Sequence, residues 1–337
     1  MADNKFPAES FKETVLAPVF SEFKEHFFNE LMQINYAHTI MLIENEVIKK
    51  EDGINIIQGL KKIEAEINLD EISYTGEFED LYFYIENKLK EEIGIDAAGR
   101  MHTGRSRNDI DHTMYKMKLK QKMLSILKLK SELIESLIEK AENNLKTLVV
   151  AYTHGQPAQP TTYAHYLSAF IELLLRDGER FLQSYNFADH SSLGAAAITT
   201  SGFNIDRQRT AELLGFANVQ ENSYGAIAAV DYLTDVYSSL KILMYNTGRF
   251  SQDLIFWSSF EIGHLNLGRG FIQISSIMPQ KRNPVALEHL RVMSSLAAGY
   301  CDSVINTTHN TPFTDMNDAE DAVQVVGFKG FDFAERV

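Results

Sequence analysis

Residues 111–148 read DHTMYKMKLKQKMLSILKLKSELIESLIEKAENNLKTL, and their apolar spacing decides the fold. Met114, Met117, Leu124, Leu127, Ile134, Leu137, Ile138, Ala141, Leu145 and Leu148 recur mostly at steps of three or four residues. That period belongs to a helix with one buried stripe. At a rise of about 1.5 Å per residue, such a helix is roughly 55 Å long. One small domain cannot bury a stripe of that length alone.

Three more segments with helical period follow, at 160–187, 231–257 and 284–305. The second carries Leu233, Val236, Leu240, Leu243, Met244 and Leu254, and the third Leu287, Leu290, Met293 and Leu296. Pro160 and Pro284 suit a first helical turn, where a missing N–H costs nothing. Convincing strand alternation is absent, and residues 193–203 read as a small-residue loop. The expectation is an all-α protein built on a bundle of long helices. Residues 1–108 carry shorter helical segments, around 11–50, 53–67 and 79–93. They are expected to form an N-terminal helical domain, with residues 109–337 as the central long-helix domain.

Composition narrows the function. The 337 residues are 45% hydrophobic and 23% charged, an ordinary globular balance. The formal net charge of -14 argues against nucleic acid or anionic lipid as a partner. An acidic substrate therefore needs a local basic patch. No apolar run approaches membrane-spanning length, and residues 1–20 lack the apolar core of a secretory signal. The single cysteine, Cys301, fits a reducing cytoplasm and reads as a core residue.

Three polar segments stand at the starts of long helices. Residues 100–109, Arg100-Met101-His102-Thr103-Gly104-Arg105-Ser106-Arg107-Asn108-Asp109, hold three arginines, two hydroxyls and an amide. Arginine forks, hydroxyls and N–H groups at a helix start make a carboxylate site. The plainer reading is a solvated loop in which Asn108 or Asp109 caps the helix. Residues 153–160, Thr153-His154-Gly155-Gln156-Pro157-Ala158-Gln159-Pro160, place a histidine in a rigid polar turn, although a lone histidine is more often structural. Residues 275–284, Ser275-Ser276-Ile277-Met278-Pro279-Gln280-Lys281-Arg282-Asn283-Pro284, combine hydroxyls, cations and an amide with apolar Ile277 and Met278. An ordinary surface loop is the plain alternative to one that closes over a ligand.

These segments resemble the motifs of the argininosuccinate lyases, within the fumarase/aspartase superfamily. Residues 102–109 resemble the first signature of that family, 153–160 its central motif, and 275–284 the signature loop of the superfamily. Lesser matches at Glu79-Asp80, Ile205-Asp206-Arg207 and Trp257-Ser258-Ser259 extend the resemblance. It implies a homotetramer with one shared bundle and active sites built from several subunits. It also implies a carbon–nitrogen lyase that releases fumarate from an N-substituted aspartate, without metal or cofactor. In that family's pattern Ser275 is the general base, and Lys281 and Asn283 stabilise the dianionic intermediate. His154 assists at the departing nitrogen and is held by Glu288. Arg105, Ser106, Arg107, Asn108, Thr153 and Gln156 belong to the substrate-binding motifs.

Several positions depart from the pattern. Ile274 replaces the glycine before the serine pair, which is expected to stiffen the loop. Ser21 and Glu25 match poorly the residues that meet the amino-acid end of the substrate. Residues 224–232 keep little of the family wording, and Phe313-Thr314-Asp315-Met316-Asn317-Asp318 replaces a Tyr-Asn-Lys-Asp run. The catalytic motifs are kept while the amine-side motifs are changed. Argininosuccinate is the first expectation, with another N-succinyl amine, adenylosuccinate or a non-catalytic scaffold role as alternatives. The resemblance also implies more chain past Val337, so the sequence reads as truncated relative to the family. The acidity predicts that the protein passes through heparin resin at moderate salt; retention there contradicts the exclusion of nucleic acid.

Overall fold

The computed structural model describes residues 6–337. Nine helices of seven or more residues carry the described chain: α1 (Ala17–Glu44), α2 (Lys50–Glu66), α3 (Leu81–Ile93), α4 (Arg107–Glu142), α5 (Tyr163–Ala188), α6 (Arg207–Leu213), α7 (Asp231–Trp257), α8 (Val285–Thr308) and α9 (Asp321–Glu335). The all-helical expectation holds, with three small two-stranded sheets added: β1–β2 (Leu148–Thr153, Gln156–Thr162), β3–β4 (His190–Ser191, Asn218–Val219) and β5–β6 (Gln273–Ile274, Arg282–Asn283).

The decisive helix starts at Arg107, four residues before the apolar pattern begins. Its start is set by capping: Asp109, in the first turn, accepts the Ser106 N–H at 2.6 Å. It ends at Glu142, where the Asn144 N–H turns back to the Ala141 carbonyl at 2.9 Å. Leu145 and Leu148 therefore lie outside it. The expected single stripe also divides. Met114, Met117, Ile134, Leu137 and Ala141 are buried together with Met123 and Ile126, whereas Leu124 and Ile138 face outward. Spacing alone could not separate a face buried within the chain from an apolar face left outside it.

Pro160 does not start a helix. It lies in β2 opposite Val150, and α5 begins at Tyr163. A proline is tolerated there because a two-stranded ribbon leaves outward positions without a ladder bond. Pro284 does stand at a helix start, its carbonyl accepting the Glu288 N–H at 3.1 Å.

The chain forms two compact units. The first unit holds the residues up to Gln121 with Asn186–Tyr232 and Thr307–Val325. Its core packs Phe23, Phe27 and Leu31 of α1, Ile56 and Leu60 of α2, Ile85 and Leu89 of α3, and Tyr115 of α4. The Phe27 and Tyr115 rings meet at 5.3 Å. The second unit holds Lys122–Tyr185, Leu233–Asn306 and Val326–Val337. In it Phe170 stacks on Phe250 at 3.9 Å, Ser184 and Ser239 share a hydrogen bond of 2.6 Å, and Lys241 pairs with Asp302 at 2.5 Å. Cys301 is a core residue there, as expected, and burial pushes its thiol up to about 12.

Within this second unit α9 approaches α7 through Gly327. A Cβ at that position would stand 2.0 Å from the Tyr237 hydroxyl oxygen and 2.3 Å from Cζ of its fully buried ring. Gly327→Ala is expected to lower stability by about 1–3 kcal/mol through overpacking, outweighing the better helix propensity of alanine. Urea denaturation reads this as a lower midpoint; an unchanged midpoint means the ring relaxes freely.

Candidate active site

The residues of the first polar segment all lie in the first unit. Gly104 has φ +76°, and a Cβ there would meet Ile205 at 2.7 Å, so the turn that aims residues 105–108 requires glycine. Arg105 is buried and donates from Nη2 to Asn35 Oδ1 at 2.7 Å. Arg107 donates from Nε to Asp80 Oδ2 at 2.8 Å and from Nη1 to Asp111 Oδ1. Both arginines are thus engaged by the protein itself. Half-buried on either side of Arg107 are Ser106 and Asn108, whose side chains join at 2.8 Å, Ser106 Oγ donating to Asn108 Oδ1. The Asn108 amide in turn donates to Asp315 Oδ2.

Asp109 realises the capping reading and extends it. Besides the Ser106 N–H, it accepts those of Gly194 at 2.6 Å and Ala196 at 3.2 Å. Ala196 and Ala197 have φ of 47° and 67°, conformations unfavourable to L-residues. Asp109 therefore anchors the small-residue loop in a strained shape. The lesser motif residues are anchors as well. Asp80 caps α3 through the Phe83 N–H at 3.0 Å, and Asp206 caps α6 through the Arg209 N–H at 2.9 Å. Arg207 donates to the Leu193 and Gln220 carbonyls.

A cluster of carboxyls surrounds the start of α4. Burial lifts Asp111 well above the usual carboxylate range; Arg107 pulls against this, and Asp321, Asp80 and Glu320 push further up. Burial works against the Arg107 charge, but Asp111, Asp80 and Asp321 outweigh it and hold the guanidinium ionised. Tyr115 donates to Asp321 Oδ1 at the first residue of α9. Burial, then Asp315 and Asp321, lift the Glu320 carboxyl to about 7. His112 lies beside them, its Nε2 3.8 Å from Asp315 Oδ1. Burial pushes its pKa down, against the opposite pull of Asp315.

The other two segments lie in the second unit. β1 and β2 form a hairpin in which Thr153 faces Gln156 across the two-residue turn His154-Gly155. Both turn residues have positive φ, 53° and 73°, as a type I′ turn demands. Glycine adopts this readily and histidine does not, so the hairpin projects His154 at some conformational cost. Thr153, His154 and Gln156 are all exposed.

Residues 275–281 loop between β5 and β6, whose register pairs Gln273 with Asn283 and Ile274 with Arg282. Ser275 Oγ accepts the Met278 N–H at 3.1 Å, and the Met278 carbonyl accepts the Lys281 N–H at 3.0 Å. Arg282 is tied down by the Leu267 carbonyl at 2.6 Å. Lys281, Asn283 and Glu288 line one cleft of about 750 Å³ together with Ser258 and Ser259. Ile277 is 82% exposed and Ile274 70% exposed, so the apolar side of this loop has no cover within the chain. Glu288 and His154 share no hydrogen bond within the chain, and each presents its side chain to solvent.

The structure thus brings Ser106 and Asn108 together, joins Lys281, Asn283 and Glu288 on one cleft, and puts Thr153, His154 and Gln156 on one turn. The roles of Asp111, His112, Asp315 and Glu320 are absent from the sequence reading. Asp111 pairs with Arg107 at the local i,i+4 spacing, which the sequence does carry, whereas Asp315 meets Asn108 across 207 residues, a pairing no local pattern signals.

Long helices, three of them (α4, α5 and α8) preceded by a polar segment, make this an all-helical protein with donor-rich loops at helix starts. A family profile described as "Lyase" matches residues 22–299, and the chain belongs to this family. It is 51% identical over 334 residues to argininosuccinate lyase 2 of Agrobacterium fabrum, covering 99% of this chain and 66% of the relative. It is 38% identical to argininosuccinate lyase 1 of Shouchella clausii, covering 93% of this chain and 62% of the relative. The chain therefore spans just under two thirds of the length of these relatives. An EDDS lyase variant with bound fumarate superposes with TM-score 0.82 at 28% identity, over 95% of this chain and 66% of that one. The class II fumarase of Schistosoma mansoni, at 17% identity and TM-score 0.73, shares the fold.

The raised Glu320 carboxyl has a consequence for stability. Between its ordinary value of 4.5 and about 7 the native state holds more protons than the unfolded chain. Stability contributed by this group is therefore present at the acid end of that window and lost as pH rises through it. Glu320→Gln is expected to flatten the fall in melting temperature from pH 5 to 8, while a profile as steep as that of the parent removes Glu320 as its source.

Proposed function

We propose that the protein is a carbon–nitrogen lyase that eliminates fumarate from an N-substituted aspartate, with argininosuccinate as the first substrate to test. The observation that carries this is the cleft shared by Lys281, Asn283 and Glu288 at the C-terminal end of the 275–281 loop. It gathers a cation and an amide where a carboxylate can be held and charged further. The 51% identity to an argininosuccinate lyase supports the same reading.

In this mechanism Ser275 removes a proton from the carbon next to a carboxylate. The electron pair moves into that carboxylate, giving a dianion stabilised by Lys281 and Asn283. Preorganised donors at developing charge contribute about 3–4 kcal/mol each in comparable sites. Collapse of the dianion forms the fumarate double bond and breaks the C–N bond, while His154 supplies a proton to the leaving nitrogen and Glu288 orients it. Ser106, Asn108, Thr153 and Gln156 hold the substrate carboxylates. Arg105 and Arg107 act from beneath, because both are held by protein groups.

Serine is a weak base, and the Met278 N–H already donated to its oxygen is the kind of support a serine alkoxide needs. Assembly into a homotetramer would gather residues from several subunits. Its support is the apolar surface left outside the second unit: Leu124 on α4, Leu182 on α5, Tyr245 on α7 and Leu296 on α8 are all exposed. A cytoplasmic setting accords with these features; among the described residues no helix is long and apolar enough to cross a membrane.

A second reading changes only the amine. Residues 311–318 depart from the family wording, and the EDDS lyase that matches this chain is named for a different substrate. Fumarate release, followed by ultraviolet absorbance, from argininosuccinate, other N-substituted aspartates and adenylosuccinate separates the two. Ser275→Ala should retain the oligomer and lose at least about a hundredfold in rate, roughly 2.7 kcal/mol of transition-state stabilisation. Unchanged turnover in that variant sinks the assigned base, and silence of the parent protein across the panel favours a scaffold role.

A further inference from the structure

The segment that differs most from the family wording does something specific in this structure. Asp315 places its carboxylate on the amide of Asn108, the residue assigned above to hold a substrate carboxylate. The side chain of aspartate is a CH2–COO⁻ arm, the same group that an N-substituted aspartate presents. From this geometry we infer that Asp315 is a built-in competitor, docked on the carboxylate subsite at Asn108 and displaced when the dicarboxylate substrate enters. The inference rests on the proposed function, since it takes Asn108 as a substrate donor.

The surroundings of Asp315 fit a group that docks and leaves. Its Oδ2 is satisfied by Asn108, but its Oδ1 is buried and has no hydrogen-bond partner within normal distance; His112 Nε2 stands 3.8 Å away. A carboxylate held by one amide and otherwise unsatisfied loses little on returning to water. The segment around it is lightly held. Pro312, Met316 and Asn317 are exposed, and the side chain of Asp315 is itself 28% exposed. Contacts lie on either side of it: Tyr224 stacks on Phe313 at 6.1 Å, and Tyr115 holds Asp321. Asp315 can therefore swing away while both contacts stay in place. Asp315 is also among the charges that lift the Glu320 carboxyl, so negative charge gathers around this segment.

A subsite that its own chain occupies binds an external ligand more weakly in proportion to the fraction of free sites. If Asp315 is docked nine-tenths of the time, removing it tightens binding about tenfold. Fumarate affinity measured by calorimetry on the whole protein tests this without requiring turnover. Asp315→Ala should bind fumarate several-fold to tenfold more tightly than the parent. Asp315→Asn, which keeps the shape and guards against a folding failure, should show a smaller gain because a neutral amide oxygen accepts less strongly than a carboxylate. Asp318→Asn removes a charge three positions away and should change little.

Unaltered or weaker fumarate binding in Asp315→Ala overturns the inference while leaving the lyase reading intact. An equal gain from Asp318→Asn overturns it too, by assigning the effect to the general acidic field. Absence of fumarate binding in the parent and in every variant defeats both the inference and the proposed function.

Discussion

Arg107 occupies the first position of the longest helix, with the carboxylates of Asp80 and Asp111 on its guanidinium. Asp80 caps α3 with its other oxygen, so one arginine ties the start of α4 to the start of α3. Two residues on, Asp109 closes the Ser106 turn and holds the strained 194–197 loop. Buried charges of this kind are weak evidence for stability but strongly define position, because removing one partner leaves the other uncompensated. Everything proposed for Ser106 and Asn108 depends on that frame: their side chains can face a ligand because the charged residues on either side of them are already committed.

The same arrangement explains why the first polar segment is only partly a binding segment. Three arginines in an acidic chain suggest a carboxylate site, yet Arg105 and Arg107 are engaged inside the unit, and Arg100 lies 3.3 Å from Asp52. In the proposed function their charge acts on the substrate at a distance, and direct contact is assigned to hydroxyl and amide groups. In the second unit the division is similar: Arg282 is bound to a backbone carbonyl while Lys281 faces the cleft. In the first segment all three arginines are engaged by the protein, and in the third Arg282 is, which leaves Lys281 on the cleft.

The long helices carry more apolar surface than one chain covers. Leu124, Leu182, Tyr245 and Leu296 all face outward from helices whose opposite faces are packed. Together with the uncovered Ile274 and Ile277 on the 275–281 loop, this makes a protein with an acidic body and apolar helix faces. Such faces suit association of like subunits better than nucleic acid or membrane, because apolar contact with an identical face carries no charge penalty.

Apolar period, read from the chain alone, determined that the fold is helical, that long helices lie near 160–187, 231–257 and 284–305, within about three residues of where the structure has them, and which three loops carry donors. These features are local: a period of 3.6 residues, a cap or a proline acts within a few positions of itself. The hairpin at 148–162 escaped this reading because its prolines mimic a helix start, and its turn depends on positive φ at His154 that no residue type announces. Only the tertiary structure decided which half of the α4 stripe is buried, which arginines are spent on carboxylates, and that Asp315 rests on Asn108. Those outcomes join residues as far as 207 positions apart. Such pairings are settled by how helices pack and where buried charge finds a partner, and nothing in the immediate neighbourhood of either residue encodes them.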